Sequence, residues 1–209
     1  NISTVSLTIN SVNDIPVSNN LFETVDEDNL LYILLNCSDV DGDNLTFNIT
    51  MNASNGTLNI SGNNVIYNPD SNFFGNNFFK YSCSDGINNS VESVVNISVN
   101  SVNDVPVSYA DSYSLAEDSS VNFLLNCFDV ENDVLSYNVV SNVTNGNLSI
   151  VGNNVTYTPF ENFFGFDNFT YSCSDGINSS NNSTINFTVN SINDVPVSYA
   201  NRSEEHTSE

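Results

Sequence analysis

Basic side chains are almost missing: Lys and Arg total 2 against 25 Asp and Glu in 209 residues, a formal net charge of −23. Such a field repels nucleic acid and anionic membranes, leaving cations as the partners the surface favours. Trp is absent and there is one His, His206. No Ser-His-Asp or Cys-His set can therefore be assembled, and the chain is not expected to be an enzyme. No apolar run approaches the roughly 20 residues needed to cross a bilayer, and no signal peptide heads the sequence, so any anchor is expected outside it. Helical stripes are missing too. In their place runs period-two alternation, punctuated by Gly, Asn and Asp clusters every ten or so residues, the pattern of an all-β sandwich.

The string SVNDIPVS at Ser11 returns as SVNDVPVS at Ser101 and SINDVPVS at Ser191, with starts 90 residues apart. About half the positions are identical at that offset, so the chain is a tandem array and reads as a piece of a longer one. Residues 1–13 align with the end of a unit, TVSLTIN at Thr4 matching VVNISVN at Val94, and are expected to be the last strand of a preceding repeat. Repeat one spans 14–103, repeat two 104–193, and 194–201 begins another. Each unit is large enough for one modest core. The tail Arg202–Glu209, RSEEHTSE, breaks both composition and repeat. It resembles the translation of a widely used sequencing adapter and is set aside as an artefact. Without it, 22 acidic residues face Lys80 alone.

In repeat one the expected strands are Leu21–Val25, Leu30–Cys37, Asn44–Met51, Thr57–Ile60, Asn64–Asn68, Asn77–Ser84 and Val91–Asn100. Seven is the count of an immunoglobulin-like sandwich. Asn145-Gly146 and Gly152-Asn153-Asn154 are expected to supply left-handed turn positions. By parity Leu31, Ile33, Leu35 and Cys37 share one face, and Phe79, Tyr81 and Cys83 share another. Both cysteines of a unit thus point at its core, and the immunoglobulin-like arrangement bridges these strands. Pairing of Cys37 with Cys83 and of Cys127 with Cys173 is expected; four buried thiols in a reducing compartment are the alternative. Tyr81 and Tyr171 precede the second Cys by two, either as tyrosine corners or as plain core residues.

Carboxylates recur at strand ends: Glu27-Asp28, Asp39-Val-Asp41-Gly-Asp43, Asp85-Gly86 and Asn103-Asp104, then Glu117-Asp118, Asp129-Val-Glu131-Asn-Asp133, Asp175-Gly176 and Asn193-Asp194. Ca²⁺ takes six to eight oxygens from such groups. The Asp39 run is no EF-hand, because Gly falls fourth instead of sixth and Thr50 stands where the bidentate Glu belongs. A solvated Asx-rich turn is the alternative. YSCSDGINNSVESVVNISVNSVNDVP, from Tyr81 to Pro106, resembles the end of a cadherin repeat, with a D-x-G turn, a long last strand and a linker ending in Asn-Asp and Pro. The whole unit, with DVDGDNLTF, NGTLNI and NFFGNNFFKYSCSDG in that order, is similar to the cadherin-like tandem repeats of large microbial surface adhesins. That resemblance covers nearly all of residues 1–201. It implies tandem seven-stranded Greek-key immunoglobulin/cadherin-like β-sandwiches with Ca²⁺ between successive domains. The implied ligands are Glu27, Asn103, Asp104, Asp129, Glu131 and Asp175 at the second seam. At the first they are Asn13, Asp14, Asp39, Asp41 and Asp85. No match to the acidic-Arg-Glu motif of cadherins is found, and the linker has one fewer acidic residue, which implies weaker binding.

The function expected is a non-enzymatic, calcium-stiffened spacer of an extracellular or cell-surface adhesin, its partners being calcium ions and adjacent repeats. The alternative is a glycan-binding module using Tyr109, Phe160 and Phe166. Catalysis by paired carboxylates is disfavoured, because every acidic cluster appears once per unit. Sequons such as Asn44, Asn52, Asn96, Asn142 and Asn168 are expected by chance at this Asn content and permit glycosylation without indicating it.

Overall fold

The computed structural model describes residues 3–10 and 12–196. The RSEEHTSE tail and the last residues of 194–201 lie outside the described residues. The chain divides into two compact units between Asn103 and Asp104.

Unit one holds β1 (Val17–Ser18), β2 (Leu21–Asp26), β3 (Leu31–Leu34), β4 (Cys37–Ser38), β5 (Thr46–Met51), β6 (Thr57–Ser61), β7 (Asn64–Asn68), β8 (Gly75–Ser84) and β9 (Ser93–Asn100). Unit two repeats it with β10 (Val107–Ser108), β11 (Asp111–Ala116), β12 (Val121–Leu124), β13 (Cys127–Phe128), β14 (Ser136–Ser141), β15 (Gly146–Val151), β16 (Asn154–Pro159), β17 (Gly165–Ser174) and β18 (Ser183–Asn190). In unit one a four-stranded sheet, β2-β9-β8-β5, faces a three-stranded one, β3-β7-β6. β2 runs parallel to β9 and the remaining neighbours are antiparallel.

The seven-strand reading merges segments that the backbone separates. The expected strand Leu30–Cys37 breaks at Leu35-Asn36 into β3, which pairs with β7, and β4, which pairs with β1. One strand thus serves two sheets, and the short β1 escapes detection because two residues carry no periodicity. Counting each broken strand once restores the seven-stranded sandwich. Residues 3–10 form no strand: Val5, Leu7 and Ile9 are exposed. Their counterpart β9 is held by β2 on one side and β8 on the other, and residues 3–10 have neither neighbour.

The cores follow parity. Ile33, Leu35, Phe79, Tyr81, Val95, Ile97 and Val99 are buried in unit one, and Phe123, Leu125, Phe169, Tyr171, Ile185, Phe187 and Val189 in unit two. Disulfides join Cys37 to Cys83 and Cys127 to Cys173, each closing a separation of 46 residues. Phe73 and Phe163 pack on the cores, whereas Phe74 and Phe164 are exposed.

Tyr81 is not a tyrosine corner. Its hydroxyl is shared between the carbonyls of Asn19 at 2.7 Å and Asn36 at 2.9 Å, so the phenol ties the β1–β2 connection to the break between β3 and β4. Tyr171 does the same with Tyr109 and Asn126, both at 2.8 Å. The Asn36 and Asn126 carbonyls also accept the N–H groups of Asn19 at 3.2 Å and Tyr109 at 3.1 Å, so the hydroxyl adds a second donor to a backbone bond that already closes the same junction.

Gly152 has φ 62° at the first position of a two-residue hairpin turn, as expected. Gly146 does not adopt positive φ; it begins β15. Glycine is required there by close approach, because a Cβ would lie 2.6 Å from the Thr158 carbonyl and 2.6 Å from the Tyr157 ring.

Candidate functional site: the acidic pole of each unit

In unit one the loop after β4 is wound around one carboxylate. Asp39 Oδ1 accepts the N–H of Asp41 at 2.9 Å and of Asp43 at 3.4 Å. Gly42, at φ 77°, lets the chain turn back between them, and Asn132 fills the same place in unit two at φ 62°. Oxygens of Asp39, Asp41 and Asp43 lie within 4.8 Å of one another. The preceding linker closes on this loop: Asp14 N–H donates to Asp41 Oδ2 at 2.8 Å, and Asn13 Nδ2 donates to Asp85 Oδ2 at 2.8 Å. Asp85 Oδ1 meanwhile caps its own turn through the N–H groups of Ile87 and Asn88. The Asn13 amide and the Asn88 N–H hold the Asp85 carboxyl below the usual range. Asn13, Asp14, Asp39, Asp41 and Asp85 are therefore brought to one end of the unit.

Unit two builds its end from the same parts. Asp129 Oδ1 accepts the Asp133 N–H at 2.9 Å, Glu131 Oε2 accepts the Asp104 N–H at 3.0 Å, and Asp175 Oδ1 accepts from Ile177 and Asn178 at 2.6 Å each. A carboxylate oxygen of Asp104 lies within 4.8 Å of one of Glu131. At the opposite end of unit one, Glu27 is buried, and its Oε1 accepts the Val102 N–H at 2.7 Å. Asn103 follows as the last residue of that unit. Glu117 repeats the Glu27 arrangement with Ile192 at 2.7 Å.

Two residues escape the sequence-derived ligand set. Asp43 stands in the D-x-D-G-D run itself, where alternate positions share a loop face, and Glu117 is the repeat mate of Glu27. Both signals were available in the repeat.

Among the described residues no protein cation compensates these carboxylates. Glu27 Oε2, Asp39 Oδ2, Asp129 Oδ2 and Glu131 Oε1 are fully buried and accept no hydrogen bond among the described residues. Burying an ionised carboxylate oxygen without a partner costs several kcal/mol after relaxation. Lys80, the only basic side chain among the described residues, is engaged with Glu92 at 3.1 Å. Hard anionic oxygens gathered in the 39–43 loop, one of them, Asp39 Oδ2, buried and unpartnered, are the kind of donor set a divalent cation of the Ca²⁺ type requires. The residues present fit that ion.

The aromatics of the glycan-binding alternative are not gathered at one place in the sequence order of the strands. Tyr109 lies between β10 and β11, Phe160 just after β16, and Phe166 points outward from β17.

Two disulfide-bridged sandwiches with a parallel β2–β9 pair and their acidic loops gathered at the end define the class of immunoglobulin-like and cadherin-like tandem repeats. The chain belongs to the bacterial Ig domain family, described as "Big_9: Bacterial Ig domain", which matches residues 13–98 and 103–188. No curated protein matches. The fold is shared with the human mucin-like protocadherin EC1-2, at 18% identity and TM-score 0.56 over 85% of this chain and 98% of that one. It is shared also with protocadherin gamma B2 extracellular cadherin domains 1-5, at 15% identity and TM-score 0.57 over 86% of this chain and 40% of that one. An endo-fucoidan hydrolase, MfFcnA4 from glycoside hydrolase family 107, aligns at 22% identity and TM-score 0.39 over 91% of this chain; the chain spans 31% of that protein's length.

Proposed function

We propose that the chain is a non-enzymatic spacer from an extracellular surface protein of the adhesin type, in which calcium stiffens the succession of repeats. The observation that carries this reading is the set of buried, unpartnered carboxylate oxygens on Glu27, Asp39, Asp129 and Glu131. Two further features support it. Both disulfides suit an oxidising compartment, and an array of repeated sandwiches is a rod-building device. One ion is assigned to Asn13, Asp14, Asp39, Asp41 and Asp85, with Asp43 added, and another to Glu27, Asn103, Asp104, Asp129, Glu131 and Asp175. When bound, calcium replaces mutual carboxylate repulsion with shared ligands and so restrains bending at the linker.

Calorimetric titration of calcium into metal-stripped protein tests the reading. Binding in the range of about 10⁻⁴ to 10⁻³ M is expected. Asp39→Asn should weaken one class of site, and magnesium should compete poorly, because it demands a tighter octahedron and keeps its water. Heat-silent titrations with no change in hydrogen exchange of the 39–43 loop would refute it.

A further inference from the structure

The outer face of the β2-β9-β8-β5 sheet carries a feature that unit two lacks. Phe22 on β2 and Phe78 on β8 are both in register with Asn96 on the strand between them. All three alternate outward, away from the core residues Ile97 and Phe79. Phe22 is 80% exposed and Phe78 46%. At 4.7–4.9 Å between neighbouring strands, the two rings stand on backbones about 10 Å apart. Between and below them lies an open cleft of about 630 Å³, lined also by Thr24, Asn76 and Ser98. That size is typical of small-molecule sites.

The fold does not require these rings. Ninety residues later the positions of Phe22 and Phe78 hold Ser112 and Asn168, on strands with the same pairing. Two large apolar side chains therefore stay in water where the repeat shows that small polar ones suffice. Around them, the side chains of Thr24, Asn76, Asn96 and Ser98 have no hydrogen-bond partner among the described residues. The nearby Lys80 charge is already matched by Glu92. Stacking faces flank a row of amides and hydroxyls in which Glu23 is the one charged lining residue, in a chain of net charge −23 that repels anions.

We propose that this cleft of unit one binds a neutral saccharide. The C–H faces of a pyranose ring lie against Phe22 and Phe78, whose ring faces carry negative quadrupole charge. Sugar hydroxyls pair with the Asn96 and Asn76 amides and with Thr24 and Ser98, groups that both donate and accept. Charge complementarity selects against uronic acids and sulfated chains. The site is separate from the acidic poles and does not depend on the calcium reading.

The test uses the full chain made without N-glycosylation, since Asn96 heads a sequon. Neutral hexasaccharides (cellohexaose, laminarihexaose, mannohexaose, maltohexaose and chitohexaose) and heparin hexasaccharide are titrated to about 10 mM, tenfold above a millimolar dissociation constant, with amide chemical shifts as readout. At least one neutral hexasaccharide should shift the β2, β8 and β9 amides, and heparin hexasaccharide should not. F22S and F78N install the residues unit two carries there and should keep the fold, with each weakening binding at least tenfold. No shift with any neutral sugar overturns the proposal. So does binding that survives both substitutions, a preference for heparin hexasaccharide, or concentration-dependent dimerisation abolished by F22S, which would make the face a contact between copies.

Discussion

Asp167 and its counterpart Asn77 offer a stringent test of how these units are held together. Asp167 is 4% exposed on β17, and its carboxylate takes five donors. Oδ1 accepts from Thr144 N–H at 3.0 Å, Thr144 Oγ1 at 3.2 Å and Asn168 N–H at 2.9 Å; Oδ2 accepts from Asn145 N–H at 2.8 Å and the Tyr157 hydroxyl at 3.1 Å. Asn77 occupies the same place in unit one with the neighbouring peptide reversed. There the Asn55 carbonyl accepts from Asn77 Nδ2 at 2.9 Å and from the Tyr67 hydroxyl, and Gly56 carries the reversal at φ 129°. Asp167→Ala leaves at least the N–H groups of Thr144 and Asn145 and the Tyr157 hydroxyl without acceptors. At 1–3 kcal/mol each, and with some relief from entering water, the cost is about 4 kcal/mol. Asp167→Asn can adopt the unit-one arrangement, since Gly146 tolerates positive φ, and loses only charge assistance, about 1–2 kcal/mol. Calorimetric unfolding with hydrogen exchange resolved to unit-two peptides measures both. Equal losses for Asn and Ala, or an Ala loss under about 1 kcal/mol, would show that the buried donors do not depend on the Asp167 carboxylate.

Burial works to raise the Asp167 carboxyl, but the donors from Thr144, Asn145, Asn168 and Tyr157 outweigh it and hold it below the usual value. Its stabilising contribution is thus complete above the unfolded-state pKa of about 3.9 and fades as pH falls through the lower folded value; an acid titration should show a shallower loss in unit two of Asp167→Asn than in the wild type. Cys127→Ala should cost unit two up to about 4 kcal/mol for a 46-residue separation and leave one titratable thiol, Cys173; unchanged unfolding or no free thiol would contradict the bridge. Gly146→Ala should cost about 1–3 kcal/mol through its 2.6 Å contacts despite ordinary φ, whereas Gly152→Ala meets nothing within 4 Å and should cost only the left-handed strain of about 1–2 kcal/mol. Tyr171→Phe removes the hydroxyl donor to the Tyr109 and Asn126 carbonyls, the latter keeping the Tyr109 N–H at 3.1 Å, and should destabilise unit two by about 1 kcal/mol in urea unfolding.

Much of the architecture is legible because a half-buried strand writes its inward face at every second residue. Leu31, Ile33 and Leu35, or Phe79, Tyr81 and Cys83, announce both strand and core, and the cysteine pairs follow from the same parity. What parity cannot register is a strand that changes sheets, since Leu35 and Cys37 keep the alternation while the hydrogen bonds pass from β7 to β1. The role of the Tyr81 hydroxyl is legible only once the Asn19 and Asn36 carbonyls are placed beside it. Gly146 shows the same limit: an Asn-Gly pair signals a left-handed turn, but an acceptor at residue 167 in place of the amide at 77 turns the peptide over and removes the need. The acidic residues were legible as types and as loop positions. Their burial was not, because it depends on how the linker folds back, as Asp14 does onto Asp41.

Calcium-dependent thermal unfolding of the chain reports whether ions occupy the acidic poles. For a site of about 10⁻⁴ to 10⁻³ M, raising calcium from zero to about 10 mM adds roughly 1.4–2.7 kcal/mol per ion, which scanning calorimetry resolves as a rise in Tm of several degrees. The rise is expected in the wild type, reduced in Asp104→Ala with both sandwiches still folded, and magnesium is expected to have little effect. An unfolding temperature that does not move with calcium up to about 10 mM would mean that the poles hold no calcium and are solubilising turns.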